Sequence, residues 1–147
     1  MKGEIPPIGV LQGRLTPSRG RGIQFFPDDN WEEEFGDAKK IGLSAIELLI
    51  RPKGLREHPL MTPEGRASLG KLTKSTGVTI PSVHAYYLPE NQYATDLLNI
   101  VHATKEIGAK VVLISFFHEK KLSLTPDATW ERAHKLLAPG AEAAKDA

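Results

Sequence analysis

Four times along the chain a short apolar run is followed by a segment of helical periodicity. No other feature limits the fold as much. The runs lie at residues 8–11, 45–50, 79–85 and 110–117. They recur about every 35 residues, roughly the length of one strand plus one crossover helix. Strands that alternate with helices form a parallel sheet, because each strand must be carried back across the sheet before the next can pair with it. Right-handed crossovers then displace successive strands in the same sense.

The segments between the runs carry start and stop signals. Asn30 with Glu33 three residues on is a capping box, which predicts a helix from Asn30 with Trp31, Phe35, Ala38 and Ile41 on one face and Gly42 as its stop. Thr62 caps a second helix whose first residue is Pro63, whose inner face holds Leu69 and Leu72, and which ends at Gly77. Pro81 weakens the first residues of the third strand, since it has no N–H for the ladder. A third helix is predicted over residues 93–107, with Leu97, Ile100, Val101 and Ile107 inward and Gly108 after it. Val111, Val112, Leu113 and Ile114 make the clearest strand, and an uninterrupted apolar run of this kind predicts burial on both faces. The fourth helix begins at Thr125 and Pro126 with Trp130, Ala133 and Leu137 inward; Pro139-Gly140 is expected to kink or break it.

Two architectures satisfy this pattern: half of a (β/α)8 barrel, or a small open doubly wound sheet. A doubly wound nucleotide fold calls for a glycine-rich phosphate turn after its first strand, and Gln12-Gly13-Arg14-Leu15 is not that motif. The expected fold class is therefore α/β, a partial (β/α)8 TIM barrel of four parallel βα units, forming one domain over residues 1–147. A formal net charge of +1 gives no field that would make nucleic acid or a membrane the main partner. The absence of cysteine excludes disulfides and thiolate metal sites and fits a reducing cytoplasm, the expected location. No apolar run approaches the roughly 20 residues that span a bilayer, and the first residues carry no secretory h-region.

The segment Ile8-Gly-Val-Leu-Gln-Gly-Arg-Leu15, then Phe26-Pro27 and Asn30-Trp31-Glu32-Glu33-Glu34-Phe35, then Ile46-Glu47-Leu48, resembles the start of the sugar phosphate isomerase/epimerase family. Residues 112–117, ending in Phe116-Phe117, and Leu136-Leu137-Ala138-Pro139 followed by Ala141-Glu142 are similar too. That family belongs to the xylose-isomerase-like barrel superfamily, which also contains the apurinic endonucleases. The resemblance implies an eight-stranded barrel that binds a divalent metal (Mn, Mg, Zn or Co). It also implies transfer of a proton at a carbon beside a carbonyl, on a sugar, sugar phosphate or polyol. The family's usual metal ligands sit at the ends of strands five to eight. A complete barrel needs roughly 250 residues, so the chain is expected to be the N-terminal half, ending before strand five, without the main metal ligands and base.

In parallel barrels the active site gathers at the C-terminal ends of the strands. That rule selects Gln12 and Arg14 after strand one, Glu47 in strand two, His84 at the end of strand three and His118 after strand four. His84 and His118 are candidates for substrate binding or, as in the endonuclease branch, for zinc; the alternatives are a core histidine and a solvated loop histidine. Glu47 stands in an apolar strand where an unpaired charge is costly, so it supports a catalytic histidine or substrate, or makes a structural ion pair. Arg14 suits bidentate binding of phosphate or carboxylate, or a loop ion pair. Gln12 suits a sugar hydroxyl. Arg19, Arg21, Lys120 and Lys121 would share one rim, and Phe25, Phe26, Tyr86 and Tyr87 would wall a pocket or simply pack. Asp28, Asp29 and Asn30 read as helix-start chemistry. His58, His102 and His134 carry no assigned role. The rival readings are an apurinic-endonuclease-like zinc enzyme and an inactive fragment or assembly partner that self-associates through open sheet edges.

Overall fold

The computed structural model describes residues 7–86, 92–115 and 126–145. Its strands are β1 (Gly9–Leu11), β2 (Ala45–Ile50), β3 (Ser82–Tyr86) and β4 (Val111–Ser115); its helices are α1 (Glu33–Lys40), α2 (Pro63–Thr76), α3 (Tyr93–Glu106) and α4 (Pro126–Lys145). A single 3-10 turn over Pro59–Met61 precedes α2. All four strands are parallel and their order in the sheet is their order in the chain, β1-β2-β3-β4.

Strand parity decides what each face carries. Val10, Ile46, Leu48, Ile50, Val83, Ala85, Val112 and Ile114 belong to one core cluster with Phe35 and Ala38 of α1, Leu69 and Leu72 of α2, Leu97 and Ile100 of α3, and Leu136 and Leu137 of α4. No strand residue of the opposite parity joins it. All four helices therefore pack on one face of the sheet. This follows from the order: identical right-handed crossovers that never reverse direction lay every helix on the same side. Burial of Leu48, Ile50, Leu69, Leu97 and Ile100, each fully inaccessible, contributes about 1.5–3 kcal/mol apiece.

Local signals act where they were expected around α2. The Thr62 hydroxyl accepts from the Gly65 N–H at 3.1 Å, and Gly77 closes the helix at φ 78°. Elsewhere the boundaries moved. The helix predicted from Asn30 begins at Glu33, after a turn, and the capping residue Glu32 makes no side-chain capping bond. Asn30 instead donates to the Glu33 carboxylate at 3.3 Å, and Ile41 lies past the helix end, 63% exposed. The predicted third strand is divided: Thr79 makes only an isolated bridge to Ala45, and continuous pairing starts at Ser82, just after the proline that lacks a donor. The expected break at Pro139-Gly140 does not occur, since α4 continues to Lys145. Gly140 is buried against α3, where a Cβ would lie 2.5 Å from Leu97 Cδ2, so the glycine serves close helix approach. Trp130, expected inward, is 72% exposed; the contacts of α4 come from Leu136, Leu137 and Ala143. Burial of β4 on both faces also fails: Val111 and Leu113 are 52% and 47% exposed, because no helix among the described residues covers their side. The Thr125 cap lies outside the described residues.

Candidate functional site

The helix-free face carries a polar line across three strands. Leu48 pairs with Val83, so Glu47 lies beside Ser82, one step back in the register. The Ser82 hydroxyl donates to Glu47 Oε2 at 2.5 Å. His84, two residues beyond Ser82, points to the same face by strand parity. Its Nδ1 lies 3.9 Å from Glu47 Oε1, an electrostatic approach longer than a hydrogen bond. Its Nε2 lies 2.7 Å from the hydroxyl of Ser115, the last residue of β4. Tyr86 stands edge-on to the His84 ring at 5.8 Å. The order of groups is Ser82, Glu47, His84, Ser115.

Burial lowers the His84 pKa below its ordinary value, and the Glu47 carboxylate opposes that shift. Near neutral pH the ring is therefore uncharged, with one nitrogen donating and the other accepting. A neutral imidazole beside a carboxylate, hydrogen-bonded to a hydroxyl, can hold and pass a proton or orient an oxygen-rich ligand. Among the described residues no group of three or more His, Cys, Asp or Glu side chains is placed to hold a metal ion. Glu47 and His84 offer one carboxylate and one imidazole, short of the three protein ligands of an ordinary catalytic metal site. The described residues by themselves do not fit the expected divalent ion.

The other candidates are placed differently. Gln12 is fully buried at the sheet edge. Its backbone N–H donates to the Glu47 carbonyl at 2.9 Å, and its Oε1 accepts from the Leu49 N–H at 3.3 Å. The chain turns away at Gly13 (φ 85°), where a Cβ would strike the Phe25 carbonyl oxygen. The Gln12 amide thus supplies to β2 the acceptor that β1 no longer provides. Arg14 lies in the β1–α1 loop, where its guanidinium donates to the Ile23 carbonyl and to Gln24 Oε1 at 3.1 Å. His118, Tyr87, Lys120 and Lys121 lie outside the described residues. Phe25 and Phe26 are buried, the first beneath the Arg21 guanidinium at 4.3 Å and the second 4.5 Å from the His58 ring. His58 proves structural: its Nδ1 accepts from the Leu60 N–H at 3.1 Å, and burial lowers its pKa to about 3 against a weaker opposing effect of the Leu49 backbone.

Three residues of this region were not selected from sequence. Ser82 and Ser115 complete the polar line, and parity held the clue: Ser82 is two residues from His84, and Ser115 is the polar end of an apolar run. The third is Glu34. Its carboxylate, 1% exposed, folds back from α1 into the loop after β1. Oε1 accepts from the N–H groups of Gly13, Leu15 and Thr16 at 3.1 Å each, and Oε2 from Gly13 at 2.9 Å. A ring of backbone amides around one carboxylate is an anion nest, and it fixes the loop that carries Arg14.

Together these features define an α/β chain with a four-stranded parallel sheet, helices on one face and a Glu-His-Ser line on the other. No helix among the described residues is long and apolar enough to cross a membrane. No family model matches the chain, and no curated protein matches it.

Proposed function

We propose that the chain is the first four βα units of a (β/α)8 barrel of the sugar phosphate isomerase/epimerase kind, and that its helix-free face is the inner wall of the active site. The observation that carries this reading is the uninterrupted strand order with every helix on one face. A doubly wound sheet reverses direction and is covered on both sides; a barrel wall is not, and its bare side faces inward. Chemistry-bearing residues on that bare side are what a barrel enzyme requires.

In this reading His84 serves as the neutral acid–base group nearest the substrate. Ser115 holds one ring nitrogen, and the Glu47 carboxylate, itself held by Ser82, stabilises the imidazolium that forms when the ring takes a proton. Arg14 and His118 are assigned to substrate contacts, and Gln12 contributes by fixing the edge of the wall. The divalent ion belongs to the family expectation, and no step is routed through it. The reaction is transfer of a proton at the carbon beside a carbonyl of a sugar or sugar phosphate.

The test is exchange of that α-proton in D2O, with Mn²⁺ and a panel of ketoses and ketose phosphates, followed by NMR. Incorporation above the buffer control, falling at least tenfold in His84→Asn, is the expected result, in line with the usual contribution of a positioned acid–base group of about 10²–10⁴. Exchange indistinguishable from buffer across the panel, or equal in wild type and variant, would overturn the proposal.

A further inference from the structure

Both edges of the sheet are open among the described residues: β1 pairs only with β2, and β4 only with β3. An open edge presents N–H and C=O groups that another strand can take. Along β1 the Ile8 carbonyl and the Gln12 N–H are used toward β2, so by backbone alternation the groups of Gly9 and Leu11 face outward. The β4 edge offers side chains as well as backbone. α4 rests on α3 far more than on β4, with Gly140 against Leu97. Beneath α4 lies an apolar hollow of about 500 Å³, walled by Leu97 and Val101 of α3, Val112 and Ile114 of β4, and Leu137 and Ala141 of α4. On the bare side of the same strand Val111 and Leu113 are half-exposed. A strand that seats here needs apolar side chains on both of its faces. β1 has them. Ile8, just before the strand, shares the helix side with Val10 by parity; Ile8 is 61% exposed and Val10 only half-buried. Leu11, half-buried, lies on the bare side.

We propose that two copies of this chain close on each other about a twofold axis parallel to the strands, with β1 of each copy pairing in parallel with β4 of the other, beneath its α4. The inference rests on the reading of the sheet as a barrel wall, and not on the reaction assigned to it. Because β1 and β4 are open on opposite sides and every strand runs the same way, this one operation satisfies both edges of both copies. Two four-stranded sheets then form one closed ring. A stable dimer buries roughly 1,200–2,000 Å², so each of two equivalent contacts has to supply only about half of that. The helices stay outside and both bare faces turn inward. The Ser82-Glu47-His84-Ser115 line of one copy then faces that of the other across a shared interior, so each copy contributes to the other's site.

Sedimentation equilibrium of the 147-residue chain tests it. The expected species has twice the 16.1 kDa mass of one chain. Ile8→Glu and Ala141→Arg each place a charge in the contact by altering a side chain that is exposed in the single chain. Each should weaken the dimer at least tenfold and leave the far-UV circular dichroism unchanged. Mixing the two variants in equal amounts should restore dimer. A mixed pair has one contact free of both substitutions, and in the other the introduced acid meets the introduced base. A monomer at about 100 µM, above the micromolar range in which the weakest interfaces of standard size still bind, would overturn the proposal. So would a dimer indifferent to Ile8→Glu, the mark of β4 pairing with β4, or polymers of rising mass, the mark of a contact that does not close. A dimer without α-proton exchange would remove the isomerase reading and keep this interface; exchange by a monomer would do the reverse.

Discussion

Replacing Gly65 by alanine is expected to destabilise the chain by about 3 kcal/mol, although the position lies inside a helix where that change ordinarily stabilises. In an exposed helix interior, alanine gains about 1 kcal/mol over glycine through backbone entropy. At Gly65 the missing side chain is replaced by the backbone of the preceding 3-10 turn. A Cβ there would lie within 2.6 Å of the Pro59 carbonyl carbon and closer still to its oxygen and Cα. A backbone fixed by proline, and by the Leu60 N–H bonded to His58, cannot swing aside as a side-chain tip does, and overpacking costs about 1–3 kcal/mol even where some relaxation is possible. Gly70, five residues on in α2, is the internal control: a Cβ there meets nothing within 4 Å. Gly70→Ala should raise stability by about 0.5–1 kcal/mol. Urea unfolding measures both. The midpoint should fall by roughly 1–3 M for Gly65→Ala, given slopes of about 1–3 kcal/mol/M, and rise for Gly70→Ala. Two shifts of the same sign would mean that the turn does not pack on α2 in this way.

Glu34→Ala should cost about 3 kcal/mol. Removing the carboxylate leaves three backbone N–H groups without their acceptor, and a buried unsatisfied donor costs about 1–3 kcal/mol. Gly13 is buried and carries most of the cost; Leu15 and Thr16 are half-buried and gain partial relief from water. Glu34→Gln keeps one acceptor oxygen but turns an amide toward donors, so it should lie between the wild type and alanine. Glu33→Ala, one residue away on the exposed side of α1, should change stability by less than about 0.5 kcal/mol. Denaturant unfolding of the three variants, with hydrogen exchange at Gly13, Leu15 and Thr16, checks this. Equal loss in Glu33→Ala and Glu34→Ala would contradict it.

Much of the architecture is legible along the chain because its signals are local. Thr62, Pro63 and Gly77 mark the bounds of α2 by backbone chemistry that acts within a few residues. The run at 45–50 emerges as β2 without adjustment. What sequence could not supply was the environment of each face. An apolar run such as β4 records side-chain character and not what lies opposite, so the exposure of Val111 and Leu113 was invisible. Trp130 failed for a related reason: periodicity orders a helix face, but Gly140 against Leu97 sets which stripe of α4 meets α3. In the candidate site, Glu47 and His84 were legible because polar residues in apolar strands stand out. Glu34 was not. It sits among three consecutive acids that read as ordinary first-turn charge, and its partners are 18 to 21 residues away.

The central claim is that the strand order brings Glu47, His84 and Ser115 onto one bare face, where they act on each other. NMR titration of His84 tests it directly, in the wild type and in Glu47→Gln and Ser115→Ala. Burial should hold the wild-type pKa below the ordinary imidazole value of about 6.5. Loss of the Glu47 charge, which favours the protonated ring, should lower it further. The Ser115 variant should change the ring's nitrogen shifts through loss of the 2.7 Å contact. An ordinary pKa, unmoved when Glu47 is neutralised and with nitrogen shifts indifferent to Ser115, would mean that these three side chains do not meet.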